Sequence, residues 1–186
     1  GNYELQTRPN ILRIKGKPNT FKLLAAAYSR FGIRSLGAIV GPQRYFSSRE
    51  FLKTVREFAD TRNLDCRDEF LVCDDNETGY EGMRRMMSLS QRPELVYLTL
   101  DTYIGGVHYL YENNLFERDR HPRLVNVSYS YDQMIFRSLP DVTGVYSFDN
   151  EYTEEAVNSL LQLIEHPGMG RIERSITLNM QVVFNE

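Results

Sequence analysis

One arginine and several aspartates lie where apolar, strand-like runs give way to helical periodicity, and these are the side chains best placed to do chemistry. Arg49 follows the run Ser35–Val40 by way of Gly41 and Pro42. Asp74 and Asp75 follow Glu69–Cys73, Asp101 follows Leu95–Leu100, and Ser130 and Asp132 follow Leu124–Tyr129. A guanidinium donates two parallel hydrogen bonds to an anionic or hydroxylated ligand, and a carboxylate accepts from ligand hydroxyls. Arg49, Asp101 and Ser130 therefore have the donor and acceptor types of a small-molecule site. Phe46 and Tyr129 flank the same positions and offer ring faces for an apolar wall.

The same aspartates admit a second chemistry. Asp74, Asp75 and Asp101 end two strands as oxygen ligands of magnesium in a phosphoryl-transfer site would. All four lysines, Lys15, Lys17, Lys22 and Lys53, come before residue 54, so such a site would lack a lysine at a late strand end. No GxxxxGK[ST] phosphate loop, GxSxG nucleophile elbow or HExxH zinc motif occurs. His108, His121 and His166 have no nucleophile or second ligand at useful spacing and are read as structural or solvated. Cys66 and Cys73 form no CxxC pair and are read as structural thiols of a reducing compartment. The expectation is a binding protein with no catalytic residue, metal or cofactor.

The elements that position these residues follow from periodicity. Strand-like runs at Ile11–Ile14, Ser35–Val40, Glu69–Cys73, Leu95–Leu100, Leu124–Tyr129, Thr143–Phe148 and Ile176–Phe184 alternate with helical stretches, the pattern of a mostly parallel sheet covered by helices. Phe51, Leu52, Val55, Phe58 and Ala59 share one helical face, and Ala156, Val157, Leu160, Leu161 and Ile164 share another; both are expected to face a core. Ser47-x-x-Glu50 and Thr78-x-x-Glu81 fit capping boxes, Asp101 is placed to cap the next helix, and His166-Pro167-Gly168 ends the last one. Arg13 to Pro18 reads as a solvated loop.

A chain of 186 residues suits one large domain. With 22 Lys and Arg against 25 Asp and Glu there is no basic field, so this segment is not expected to grip DNA itself. No apolar run approaches the roughly 18–20 residues of a membrane span.

Taken in order, these residues resemble the effector-binding region of bacterial transcription regulators of the lactose-repressor type, the LacI/GalR family, over about residues 10–184. Ile39-Val40-Gly41-Pro42 with Ser47-Ser48-Arg49 echoes the family's glycine-proline and helix arginine. Gly79-Tyr80-Glu81-Gly82-Met83-Arg84-Arg85-Met86-Met87, then Arg92-Pro93, is similar to its GYEAMRRLL helix and following turn. Thr99-Leu100-Asp101-Thr102-Tyr103-Ile104-Gly105-Gly106 resembles its ANDxxAxG motif, Asn126-Val127-Ser128-Tyr129-Ser130-Tyr131 its VVGFDD segment, Pro140-Asp141-Val142-Thr143 its PPLTTV, and Glu154–Glu165 with Pro167-Gly168 its closing LLxLIExPG.

The resemblance implies an α/β, periplasmic-binding-protein-like fold of type I, a mostly parallel sheet flanked by helices, with the second subdomain essentially complete and the first largely missing. Residues 2–186 would be the C-terminal part of a LacI-type ligand-sensing domain, with the helix-turn-helix headpiece outside the chain. The helix near Val145–Pro167 would then present an apolar face that needs a partner. The implied partner is a small-molecule effector held by Arg49, Asp101, Ser130, Phe46 and Tyr129. It would be sugar-like or, because Leu100 and Ser130 replace hydrogen-bonding residues of the family, a less polar metabolite. The resemblance also implies a cytoplasmic homodimer that touches DNA only through the headpiece and has no membrane contact. A secreted solute-binding protein shares the fold and would be told apart by a leader in place of the headpiece.

Overall fold

The computed structural model describes residues 12–17, 19–76, 78–117, 119–128, 141–146, 150–166, 172–177 and 180–185. In chain order the elements are β1 (Leu12–Lys17), α1 (Thr20–Phe31), β2 (Leu36–Val40), α2 (Phe46–Arg62), a 3-10 turn (Asp68–Phe70), β3 (Leu71–Cys73), α3 (Tyr80–Met87), β4 (Leu95–Leu98), α4 (Leu100–Glu112), β5 (Arg123–Ser128), β6 (Val142–Tyr146), α5 (Asn150–Glu165), β7 (Ile172–Thr177) and β8 (Met180–Phe184). They form two compact units, one of Gly1–Asn19 with Tyr146–Gln181 and one of Thr20–Val145 with Val182–Glu186.

In the first unit β1 pairs in parallel with β7, Leu12 opposite Ile172 through Lys17 opposite Thr177. The stretch expected to be a loop at Arg13 to Pro18 is therefore mainly strand, and the run expected as one strand at Ile176–Phe184 is divided between β7 and β8. The α5 helix packs along this ribbon. Ser159 and Leu163 are buried, whereas Val157, Leu160, Leu161 and Ile164 are between 48% and 66% exposed. The face read as core is thus open, because a two-strand ribbon covers one side of a helix and leaves the other.

The second unit is a mostly parallel six-stranded sheet in the order β3-β2-β4-β5-β6-β8. Every residue of β2 and β4 is buried, which is why both read as continuous apolar runs rather than alternating ones. On one face Phe51 of α2 packs its ring on Tyr97 of β4, and Phe21 and Tyr28 of α1 meet Phe58 of α2 edge to face. On the other, Met83 and Met86 of α3 and Tyr103 and Leu110 of α4 share a core with Ile39, Val72, Val96, Leu98 and Leu124. The α1 helix fills the helical stretch expected between the first two strands, although no face was assigned to it; Leu23, Leu24 and Ala27 are buried on one side and Gly32 closes it at φ 60°, its N–H donating to Tyr28 O. Left-handed backbone of that kind favours glycine.

Neither capping box forms. The α2 helix begins at Phe46, ahead of Ser47, and Gly79 at φ 79° holds the N-cap position of α3, so Thr78 falls one residue too early and Glu81 pairs with Arg84 instead. Close approach explains the second case. A Cβ on Gly79 would lie 1.7 Å from Thr102 O, and one on Gly105 would lie 2.0 Å from Thr78 O. The α3 and α4 backbones meet here with no room for side chains. Gly105→Ala is expected to lower the unfolding free energy by about 2 kcal/mol although helix propensity alone would favour alanine by about 1 kcal/mol. Urea denaturation showing a stabilised variant would contradict this contact.

At the amino rim of the sheet, ion pairs join the strand starts. Glu94, just before β4, accepts from the Arg34 backbone N–H at 2.8 Å and from its Nε and Nη2 at 3.1 and 2.9 Å, while its own N–H donates to Ser35 Oγ. Buried Asp141 accepts from Leu124 N–H at 2.7 Å and faces the Arg123 guanidinium, which stacks over the Phe31 ring at 4.1 Å. Asn185 N–H donates to Asp141 O, bringing the end of β8 to the start of β6. The Arg34 backbone N–H, with its guanidinium, holds the Glu94 carboxyl below its usual range. A depressed carboxylate adds stability that is fully present above its unfolded value and lost as pH falls through the folded one. Wild-type stability should therefore drop more steeply than that of Glu94→Gln as the pH falls below the ordinary carboxylate range, and the two curves should converge at the acid end. Parallel curves in pH-dependent melting would refute the linkage.

Candidate functional site

The β2 and β4 strands are hydrogen-bonded neighbours, Leu36 opposite Leu95 through Ile39 opposite Leu98, yet the chain leaves them for opposite faces. From β2 the crossover through α2 reaches β3. From β3 the crossover through α3 returns past β2 to β4, and α4 leads on to β5. The direction of travel reverses between β2 and β4, so the segments beyond their carboxyl ends diverge, and such a switch point is the usual ligand position of an open α/β sheet. Arg49 belongs to the wall that follows β2, and Asp101 to the wall that follows β4.

The first wall is stiffened by Arg49 itself. Its Nη1 donates to the carbonyl oxygens of Gln43 and Arg44, both at 3.0 Å, and Tyr45 N–H closes a turn onto Pro42 O. The first turn of α2 holds no acidic residue, and a cation near a helix N-terminus is disfavoured by the macrodipole. Two carbonyl dipoles compensate it. Nε and Nη2 of this exposed arginine have no hydrogen-bond partner among the described residues, so one two-pronged edge stays available. Phe46 is half-buried as the first residue of α2, and Tyr45 is exposed with its ring against the Arg44 guanidinium at 5.0 Å.

The second wall departs from expectation at Asp101. The N-cap position of α4 belongs to Thr99, in extended backbone, because Leu100 is drawn into the helix by packing against the core beneath it. Asp101 lies inside the first turn, exposed, where the macrodipole favours a negative charge. It makes no hydrogen bond or ion pair among the described residues. Thr99 and Thr102, to which no expectation attached, are buried beside it. Thr102 Oγ1 donates to Ile39 O of β2 at 2.8 Å and lies 3.0 Å from Thr99 Oγ1, while Thr99 N–H reaches the same Ile39 oxygen at 3.4 Å. Their one sequence signal is two hydroxyls three residues apart at a strand-to-helix junction.

Asp74, read as a possible metal ligand, is 2% exposed. Its Oδ1 accepts from Asn76 N–H at 2.9 Å and its Oδ2 from Gly82 N–H at 3.2 Å, while its own N–H donates to Val40 O. Both oxygens are engaged with backbone amides and fix the entry to α3, so this residue is accounted for without a cation. Burial pushes the Cys66 thiol up to about 11, and burial with nearby Asp75 raises Cys73. Both half-buried thiols are free but carry little thiolate at neutral pH. His108 is an exposed partner of Glu112, and the ring Nδ1 of His121 faces Pro122 O. Ser130 and Tyr129 lie outside the described residues.

A groove of about 600 Å³ does open at the opposite, amino rim, lined by Phe31, Ile33, Pro93, His121, Pro122 and Arg123 among others. Three of its charged groups already have partners, while Asp119 on the same lining makes no hydrogen bond or ion pair among the described residues. Arg123 is held by Asp141, Glu94 by Arg34, and Arg92 Nη1 donates to Arg120 O. Carboxyl ends of strands and helix N-termini face the other rim, which is the better ligand position on geometric grounds.

No protein-family model and no curated protein sequence matches the chain. Solved structures do match in fold. A putative LacI-family transcription repressor from Corynebacterium glutamicum superposes with a TM-score of 0.71 at 16% identity, over 96% of this chain and 67% of that one. The Lac repressor bound to ONPG gives 0.68 at 15% identity, over 95% of this chain and 52% of that one. The complex of the transcriptional regulator CelR with cellobiose gives 0.64 at 14% identity, over 83% of this chain and 47% of that one. The chain thus spans about half to two thirds of these proteins, and among its described residues no helix is long and apolar enough to cross a membrane. The protein has the periplasmic-binding-protein-like α/β fold of LacI-family transcription regulators.

Proposed function

We propose that residues 2–186 are the C-terminal part of the ligand-sensing domain of a cytoplasmic, homodimeric bacterial transcription regulator. A small-molecule effector binds at the carboxyl rim of the sheet, and DNA is contacted by a helix-turn-helix headpiece encoded elsewhere in the parent protein. The observation that carries this reading is the reversal between β2 and β4, with Arg49 on one wall and Asp101 on the other. Two ligand complexes among the matching folds, with ONPG and with cellobiose, support a sugar-like effector; the apolar Leu100 beside Asp101 supports a less polar metabolite.

In this reading Arg49 donates through its Nε–Nη2 edge and Asp101 accepts from a ligand hydroxyl. Phe46 and Tyr129 line the apolar side, and Ser130 adds a weaker polar contact. No bond is made or broken. The effector acts by binding one conformation of the sensor more tightly than another, and the difference in affinity sets how far the population shifts.

Calorimetric titration with cellobiose, ONPG and a panel of nucleosides and small metabolites tests the assignment. At least one compound should bind the unmodified chain. Asp101→Asn should weaken it about tenfold and Arg49→Ala by about 10–100-fold, the range for losing a hydrogen bond to a charged group. Asp101→Asn is the more diagnostic, since Asp101 supports no other contact among the described residues. Equal affinities in all three proteins would place the ligand elsewhere.

A further inference from the structure

We infer that Thr102 is a positioning residue whose buried hydroxyl couples the two walls of the β2–β4 switch point. The inference rests on the reading of that switch point as the effector site, but the coupling is a property of the chain without ligand. Thr102 is fully buried in the first turn of α4. A hydroxyl there ordinarily turns back to its own helix end, and Thr99 O does lie at 3.2 Å. The shorter contact runs instead to Ile39 O at 2.8 Å, 63 residues away on the neighbouring strand.

The proton directions follow from the partners. A carbonyl oxygen can only accept, so the Thr102 hydrogen goes to Ile39 O, and a lone pair on Thr102 Oγ1 then receives the Thr99 hydroxyl at 3.0 Å. Thr99 N–H at 3.4 Å adds a long second donor to the same carbonyl. Ile39 stands two residues before Gly41, where the loop clamped by Arg49 begins, and Asp101 is the residue immediately before Thr102. A displacement of Asp101 at the start of α4 therefore reaches the Arg49 loop through one hydrogen-bonded relay.

Amide hydrogen exchange on the whole chain tests this without a ligand. In Thr102→Val the amides of Gly41 and of Gln43 to Arg49 should exchange about tenfold faster relative to Val96 and Val125 in the core of the same sheet, as expected for loss of a buried hydrogen bond. Thr102→Ser, which keeps the hydroxyl, should stay within about twofold of the parent. Acceleration confined to Leu100–Tyr103 would make Thr102 a local cap and overturn the inference. So would acceleration shared equally by Val96 and Val125, an equal effect in Thr102→Ser, or no change at all. Should Thr102→Val not fold, Thr99→Val removes only the outer hydroxyl and should speed the same loop by about threefold, and an unchanged loop overturns the inference equally. Absence of cellobiose or ONPG binding would bear on the effector reading alone, so the two can fail separately.

Discussion

The parallel pairing of β2 with β4 is the constraint on which the rest of the second unit depends. Crossovers between parallel strands are right-handed, so a helix that carries the chain one way across the sheet must lie on the opposite face from one that carries it back. Because β2 leads outward to β3 while β3 leads back to β4, α2 takes one face and α3 and α4 take the other. Adjacent strands then launch their helices in divergent directions. The switch point at the carboxyl rim is a consequence of chain order and handedness, and it exists before any particular side chain is placed at it.

Side chains then divide the work between the two rims. At the amino rim Arg34, Glu94, Arg123 and Asp141 are spent on one another and on backbone groups, which fixes the strand starts and leaves little for a ligand. At the carboxyl rim Asp74, Thr99 and Thr102 are buried and likewise engaged with backbone partners, whereas exposed Asp101 and one edge of exposed Arg49 remain open among the described residues. Close contact of α3 with α4 through Gly79 and Gly105 holds the base of the second wall. The site is thus a rigid frame with two charged groups of opposite sign presented from it.

Much of the fold was legible because fully buried parallel strands write themselves as apolar runs. β2 and β4 were found within one or two residues of their ends. The first half of β1 was read as a strand at Ile11–Ile14, but its second half was hidden by Lys15 and Lys17, whose charges suggested a loop. The α1 helix was legible only as a helical stretch between two strands, since its first turn carries no acidic residue to mark where it begins. Cap positions failed for a tertiary reason: Gly79 and Leu100 are drawn into place by Thr102 and by the core, and local capping patterns carry no information about either. At the candidate site, the positions of Arg49 and Asp101 beyond β2 and β4 could be read from strand ends alone. The Thr102 relay could not, since its acceptor lies on a strand far away in sequence, and neither could the partial engagement of Arg49 by the loop before it. The apolar stripe of α5 was read from periodicity as a core face and only from the family resemblance as one in need of a partner, because periodicity reports that a face is apolar and says nothing of what covers it.

Backbone amide shift mapping of isotope-labelled protein, titrated with cellobiose, ONPG or the tightest binder of a metabolite panel, tests the central claim most directly. A ligand held between the β2 and β4 walls should move the amides of Gln43 to Arg49 and of Thr99 to Tyr103 most, and both groups together. Shifts centred on Ile33, His121 and Arg123 at the opposite rim would contradict it.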